Sequence, residues 1–281
     1  MRILLTGGGG QVGRELVTAF AGHDVVAPGR AHLDVADRDS VLVAVEAFRP
    51  DAIVHAAAWT DVDGCEADPD RALAVNALGT RHLAQAARRA GAHLCYLSSD
   101  YVFPGDATSP YHEWDDPGPR SVYGRSKLGG ERELAPGDTV VRTSWVNGRH
   151  GKNFVKSILA ASATRNELTV VDDQHGCPTF AEDLAAMVRR LVLARLPGIF
   201  HVTNQGATTW WGLARDVFVA AGLDPDRVRP VTSAELVPPR PAPRPAWSVL
   251  DNAALRLSGL ALLDDYHEPL ERLVNELVKD R

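Results

Sequence analysis

The chain is poor in cysteine, has no excess of basic residues and contains no long apolar run. Its three cysteines, Cys65, Cys95 and Cys177, are widely spaced and odd in number. They offer neither a disulfide framework nor a zinc-ligand spacing, so no metal is expected and reduced thiols in the cytoplasm are the simplest reading. Lysine and arginine total 30 against 36 acidic residues, a formal net charge of -6. This balance argues against a nucleic-acid partner or an acidic-membrane binder, both of which need a basic surface. It leaves room for one phosphate at a defined site. No stretch reaches the roughly 18 apolar residues of a membrane span. The apolar run at 3–5 is too short for the core of a signal peptide. No internal repeat is present.

Within 281 residues, of which 45% are hydrophobic, there is enough apolar material for one large domain or two unequal ones. Short apolar runs at 3–6, 24–27, 52–55, 93–97 and 139–142 read as strands. Apolar residues recurring at three and four predict helices over 11–21, 38–48, 70–90 and 122–134. Regular alternation of this kind predicts an α/β fold with a doubly wound parallel sheet. Beyond about residue 145 the rhythm loosens, with helices expected over 153–163, 180–193 and 210–221 and a strand over 198–202. The expected division is a Rossmann domain over 1–150, to which 170–204 returns, and a smaller α/β substrate lobe from 151–169 and 205–281. The proline-rich stretch 237–245 is expected to be an ordered loop, because a further helical pattern follows it.

Thr6-Gly-Gly-Gly-Gly-Gln-Val-Gly13 follows the first strand and opens a helix, with Gly7, Gly10 and Gly13 spaced three apart. Glycines let the backbone turn tightly and approach a pyrophosphate, whose charge the free amides of the helix start stabilise. In this context the pattern predicts dinucleotide binding. The second strand ends Ala27-Pro28-Gly29-Arg30 without the acid that favours NAD. NADPH is therefore expected, with Arg30 on the 2′-phosphate and NADH also admitted. The alternatives are that Arg30 is a solvated loop residue and that Asp34 reaches the adenine.

Ser121-Val-Tyr-Gly-Arg-Ser-Lys127 opens a predicted helix and places Tyr123 and Lys127 on one face. A free tyrosine is a poor acid near neutrality, since its pKa is roughly 10; a nearby ammonium is expected to lower it. Taken alone, the pair reads as surface neighbours. However, Ser98-Ser99-Asp100-Tyr101-Val-Phe103 follows the fourth strand, and ligand groups gather beyond the carboxyl ends of such strands. A hydroxyl there could bind the same carbonyl that the tyrosine protonates.

At these residues the chain resembles the extended short-chain dehydrogenases, and more narrowly the dTDP-4-dehydrorhamnose reductase family. The opening LLTGGGGQVGREL, HAAAWTDVD at 55–63, SSDYVF, VYGRSKLGGE, RTSWV at 142–146, DDQHGCPT at 172–179 and RPAWS at 244–248 carry the resemblance. It implies NADPH-dependent reduction of a dTDP-linked 4-keto-6-deoxy sugar, in an assembly for which a homodimer is admitted. Ser99, Tyr123 and Lys127 would form the catalytic triad. Gly7, Gly10, Gln11, Val12 and Gly13 would cradle the pyrophosphate, and Ala56, Ala57 and Ala58 would line the cofactor channel. Asn76 would brace the active-site strands, and Thr143, Ser144 and Pro178 would lie near the nicotinamide. Asp100, Tyr101, Phe103 and Trp145 would meet the sugar, and Arg244 and Ser248 would belong to the closing C-terminal lobe. Since a guanidinium binds phosphate oxygens in pairs, Arg244 is the candidate for the sugar-nucleotide diphosphate, the alternative being an exposed loop charge. The chain departs from the family pattern with Ser for Thr at 99, Gly for Ala at 129, and His175 and Cys177 flanking Gly176. The last two could be an epimerase's acid and base, or neutral loop variation. Related 4-ketoreductases of secondary metabolism, epimerase-reductases and non-catalytic regulatory subunits remain as alternative readings.

Overall fold

The apolar runs assemble into one parallel sheet. A computed structural model describes residues 1–279, so the last two residues of the expected substrate lobe lie outside the described residues. The strands are β1 (Arg2–Thr6), β2 (Asp24–Val26), β3 (Ala52–His55), β4 (His93–Ser99), β5 (Thr139–Thr143) and β6 (Gly198–His201). They lie in the order β6-β5-β4-β3-β1-β2 and pair in parallel throughout. All four residues of β3 and all seven of β4 are buried, as strands covered on both faces must be. The strand order reverses between β1 and β3, and a crevice outside the carboxyl ends at such a switch is the usual ligand site of open α/β sheets.

Helices α1 (Gln11–Ala19), α2 (Arg38–Phe48), α3 (Gly79–Ala90), α4 (Val122–Glu131) and α5 (Ala181–Leu193) follow in chain order. Two apolar clusters cover the sheet, one gathering Leu16, Phe20, Leu184 and Val188, the other Val41, Val45, Leu83 and Ala87. The helix expected over 70–90 is not continuous. It runs α-helical over Pro69–Leu73, widens to a π turn over Ala74–Leu78 and resumes as α3. Such turns are inserted where a side chain must be re-aimed. Here Asn76 is buried within the turn, where its side chain bridges Trp59 to Ser126 on α4. Gly129 has a packing reason: a Cβ there would stand 3.0 Å from the Cβ of Ala77 in the same turn.

A third apolar cluster forms from Val155, Leu159, Leu168, Val217, Phe218, Val228 and Leu270. It joins the helices Phe154–Ser162, Trp210–Ala220 and His267–Lys279 to a two-stranded parallel sheet of Leu168–Val171 and Val228–Val231. Periodicity did not reveal this pair, since each strand is short and its partner is far away in sequence. The stretch 237–245 holds no helix or strand and is pinned to the other side of the molecule, with the Ala242 amide donating to Asp63 at 3.1 Å. Among the described residues no helix is long and apolar enough to cross a membrane.

Candidate active site

The glycine loop is shaped by two contacts. Gly7 has a φ of +77° and the Gly10 amide donates to its carbonyl at 2.9 Å. A Cβ at Gly13 would collide with that same carbonyl, so α1 packs tightly against the turn. No side chain caps α1, and its first amides are left for a ligand. Two connected clefts meet here and share Gly7, Gly10 and Ala58. The smaller, about 320 Å³, also takes in Arg30, Asp34, Ala57 and Arg71. The larger, about 480 Å³, takes in Gln11, Val12, Gly13, Ala56, Ser99, Tyr123 and Lys127. A side-chain-free helix start between two such clefts fits a dinucleotide. Arg30 donates two hydrogen bonds of 3.1 Å to Asp34, four residues on, so both candidates for reading the adenosine share one exposed pair. Arg71, on the cleft's other wall, stacks on Trp59 at 4.3 Å. Sequence reasoning passed over it because a helical arginine carries no signal of its own.

Ser121 caps α4 through the Gly124 amide at 3.0 Å, fixing the first turn from which Tyr123 projects. Lys127 lies one turn on, and its ammonium donates to the Leu97 carbonyl at 2.7 Å, over the Tyr96 ring. Burial pushes its pKa down to about 7, with Glu131 opposing. Burial drives Tyr123 well above the usual phenol range, and a hydrogen bond with Ser99 opposes it, while the Lys127 ammonium is held by the Leu97 carbonyl. Ser99 accepts from the Tyr101 amide at 3.3 Å and donates to Asp100 at 2.8 Å.

On the opposite wall Trp145 has a φ of +46°, a costly conformation for a bulky side chain. It is held by a stack on Trp210, ring centroids 3.6 Å apart, and by Gly176, where a Cβ would stand 2.5 Å from its ring. Ser144, Thr143, Lys152 and Phe154 complete this side. Lys152 had no motif to announce it, and Trp210 opens the helix expected over 210–221.

Several residues stand elsewhere than expected. Phe103 does not line the cleft; it is buried and stacks on Tyr111 at 4.3 Å. The 3₁₀ turn Asp100–Val102 presents Asp100 and Tyr101 to the cleft and turns Phe103 into the core. Arg244 does not line the large cleft either. Its guanidinium bonds Asp63 at 3.0 and 2.8 Å with a side chain 11% exposed. Partial burial would raise the Asp63 pKa, but bonds from Arg244 and the Ala242 amide hold it below the usual carboxylate range. His175 stacks on Trp247, and Cys177 is buried with its thiol directed to the Leu250 carbonyl. Burial raises that thiol to about 11. Neither residue borders the cleft, nor does Pro178. Ser248 is buried beside the His175 carbonyl. Among the described residues no cluster of His, Cys, Asp and Glu could hold a metal ion.

The family model described as the RmlD substrate binding domain matches residues 1–279. A dTDP-4-dehydrorhamnose reductase of Streptomyces griseus is 47% identical, covering 96% of this chain and 91% of its own. A probable dTDP-4,6-dihydroxy-2-methyloxan-3-one 4-ketoreductase of Streptomyces antibioticus is 43% identical, covering 99% and 96%. Among solved structures, a dTDP-4-dehydrorhamnose reductase of Bacillus anthracis in complex with NADP superposes with a TM-score of 0.93 at 36% identity, covering 98% of this chain and 99% of that one.

Proposed function

This chain belongs to the family of the RmlD substrate binding domain, and from that premise we propose that it reduces the 4-keto group of dTDP-4-dehydrorhamnose with NADPH, NADH serving as a second donor. The observation that carries the reading is the junction of the two clefts, where the glycine loop meets the buried Ser99, Tyr123 and Lys127. The nucleotide supplies a hydride when bound. Gly7, Gly10, Gln11, Val12 and Gly13 hold its pyrophosphate at the start of α1, and Ala56, Ala57 and Ala58 let it lie close to the ends of the strands. Gln11 is braced at both ends, donating to the Val146 carbonyl at 2.9 Å and accepting from Asn153 at 2.8 Å. Tyr123 protonates the developing alkoxide, Ser99 orients that oxygen, and Lys127 binds the ribose and sets the local charge. Trp145, backed by Trp210, forms the face on which the sugar lies, with Asp100, Tyr101 and Ser144 around it. Because Arg244 is already committed to Asp63, its part is to fix the 237–245 loop over this wall. The smaller lobe closes the substrate side, a placement common for ligand sites between subdomains.

The test is oxidation of NADPH against a panel of dTDP- and UDP-linked 4-keto sugars, with turnover expected for the dTDP-4-keto-6-deoxyhexoses. Preference for a different keto sugar of this class would favour the second reading, a deoxysugar 4-ketoreductase like the Streptomyces antibioticus relative. Epimerisation loses its discriminator, since His175 and Cys177 stand off the cleft. Reduction in deuterated water should therefore leave the carbons beside the carbonyl unlabelled by mass spectrometry. Label there would restore an acid–base pair to the site.

Cofactor choice yields a further expectation. Arg30→Ala should raise the KM for NADPH about tenfold, the scale of a lost charge-assisted hydrogen bond at an exposed site, and leave that for NADH nearly unchanged. Steady-state kinetics with both cofactors decides this. An equal effect on the two would remove Arg30 from the 2′-phosphate.

A further inference from the structure

Asp100 is an unusual neighbour for a catalytic hydroxyl. It borders the cleft yet is only 2% exposed. One oxygen accepts from Ser99 at 2.8 Å; the other is buried without a close partner, and the Ser248 hydroxyl is the one further side-chain donor that acts on the carboxyl. A buried carboxylate with an unsatisfied oxygen is costly, and the cost falls when the group takes up a proton. Ser99 in turn shares a hydrogen bond with Tyr123. The phenol, the hydroxyl and the carboxyl thus form a chain of three oxygen groups, and it leads away from Lys127, whose ammonium is directed to the Leu97 carbonyl.

We infer that Asp100 is the proton reservoir for Tyr123, refilling the tyrosine through the Ser99 hydroxyl during reduction. In the step, Tyr123 gives its phenolic proton to the substrate oxygen as the carbonyl carbon accepts the hydride. Ser99 gives its hydroxyl proton to the Tyr123 oxygen, and Asp100 gives its carboxyl proton to Ser99. Three O–H bonds break and three form, and Asp100 is left as a carboxylate that takes a proton from water through the cleft. With Asp100 ionised the relay has no proton to give, and a tyrosinate would form beside a carboxylate. Reduction is therefore favoured when Asp100 is neutral. Burial supports this role by raising the Asp100 pKa to about 6, although hydroxyls of Ser248 and Ser99 pull the other way. The other groups that act on this carboxyl or feel it are Tyr101 on its own turn, Tyr123 on α4 and Cys177 on the 172–179 loop. Burial raises all three above their usual ranges, so Asp100 is the one of the four that changes charge near neutrality.

The inference rests on the reduction proposed above, and two measurements separate their failures. In cofactor-free protein, ¹³C NMR of labelled aspartate carboxyls should show one group titrating near pH 6, and Asp100→Asn should abolish that signal. Titration of the Asp100 carboxyl in the ordinary range near 4 overturns the relay whatever the substrate. With the best keto sugar, wild-type kcat should fall several-fold as the pH rises from about 5 to 8. Asp100→Asn should lower kcat at the acidic end about tenfold and flatten this limb, whatever it does to the KM for the sugar nucleotide. Ser99→Ala should lose the same limb. Retention of the limb in either variant, or a change confined to KM, overturns the relay and leaves Asp100 a substrate contact alone.

Discussion

Tyr123→Phe is expected to fold, to bind NADPH as the wild type does, and to lose about 10²- to 10⁴-fold in kcat, the usual worth of a positioned general acid. The size follows from the surroundings. The phenol is buried and holds its proton far above neutrality, so it enters the reaction as an acid. Its removal leaves the alkoxide to the Ser99 hydroxyl, a far weaker acid than the phenol, and to water. The aromatic ring packs edge-on against Tyr101 at 5.5 Å and touches Cys65 and Val122. Phenylalanine keeps those contacts, which is why stability should change little. Stopped-flow hydride transfer and calorimetric titration with NADPH separate chemistry from binding. Turnover close to wild type would place the proton donor elsewhere.

The largest stability effect is expected at Glu131. Its carboxylate takes two bonds from the Arg142 Nε at 3.0 and 3.3 Å, one from Nη2 at 2.7 Å, and one from the Ser98 hydroxyl at 2.5 Å. The arginine is 2% exposed and the glutamate 6%. Glu131→Ala strands a guanidinium in the interior, where its Nη1 already lacks a partner. Breaking a buried pair in this way costs about 3–5 kcal/mol, which for a chain of this size lowers Tm by roughly 10 °C. Glu131 also opposes the burial that lowers the Lys127 pKa, so the variant should hold Lys127 still lower and increase its neutral fraction at pH 7. Thermal melts of Glu131→Ala and of Glu131→Leu combined with Arg142→Met test the account. The apolar pair should recover much of the loss, because it leaves no charge unpaired. A melt of the alanine variant within 2 °C of wild type, about 1 kcal/mol or less, would show that water reaches the pair.

The sequence by itself determined what depends on local geometry. Strand and helix periods are short-range properties, so the alternation that makes a parallel sheet could be read without contacts. The glycine loop was legible because Gly7, Gly10 and Gly13 meet a steric need that lies within one turn. Tyr123 and Lys127 were legible as one helix face because four residues make one turn. Tertiary structure alone decided where those groups point. Lys127 turns to the Leu97 carbonyl, and Ser99 faces both Tyr123 and Asp100, because the end of β4 packs against α4. Phe103 falls to the core although it shares a motif with Asp100 and Tyr101, since the chain leaves the 3₁₀ turn at Phe103 in an extended conformation. Arg244 is claimed by Asp63, 181 residues away. The pair Leu168–Val171 and Val228–Val231 likewise joins segments that no local window spans. Such pairings depend on which surfaces the folded layers bring together, and burial then fixes which groups hold a proton.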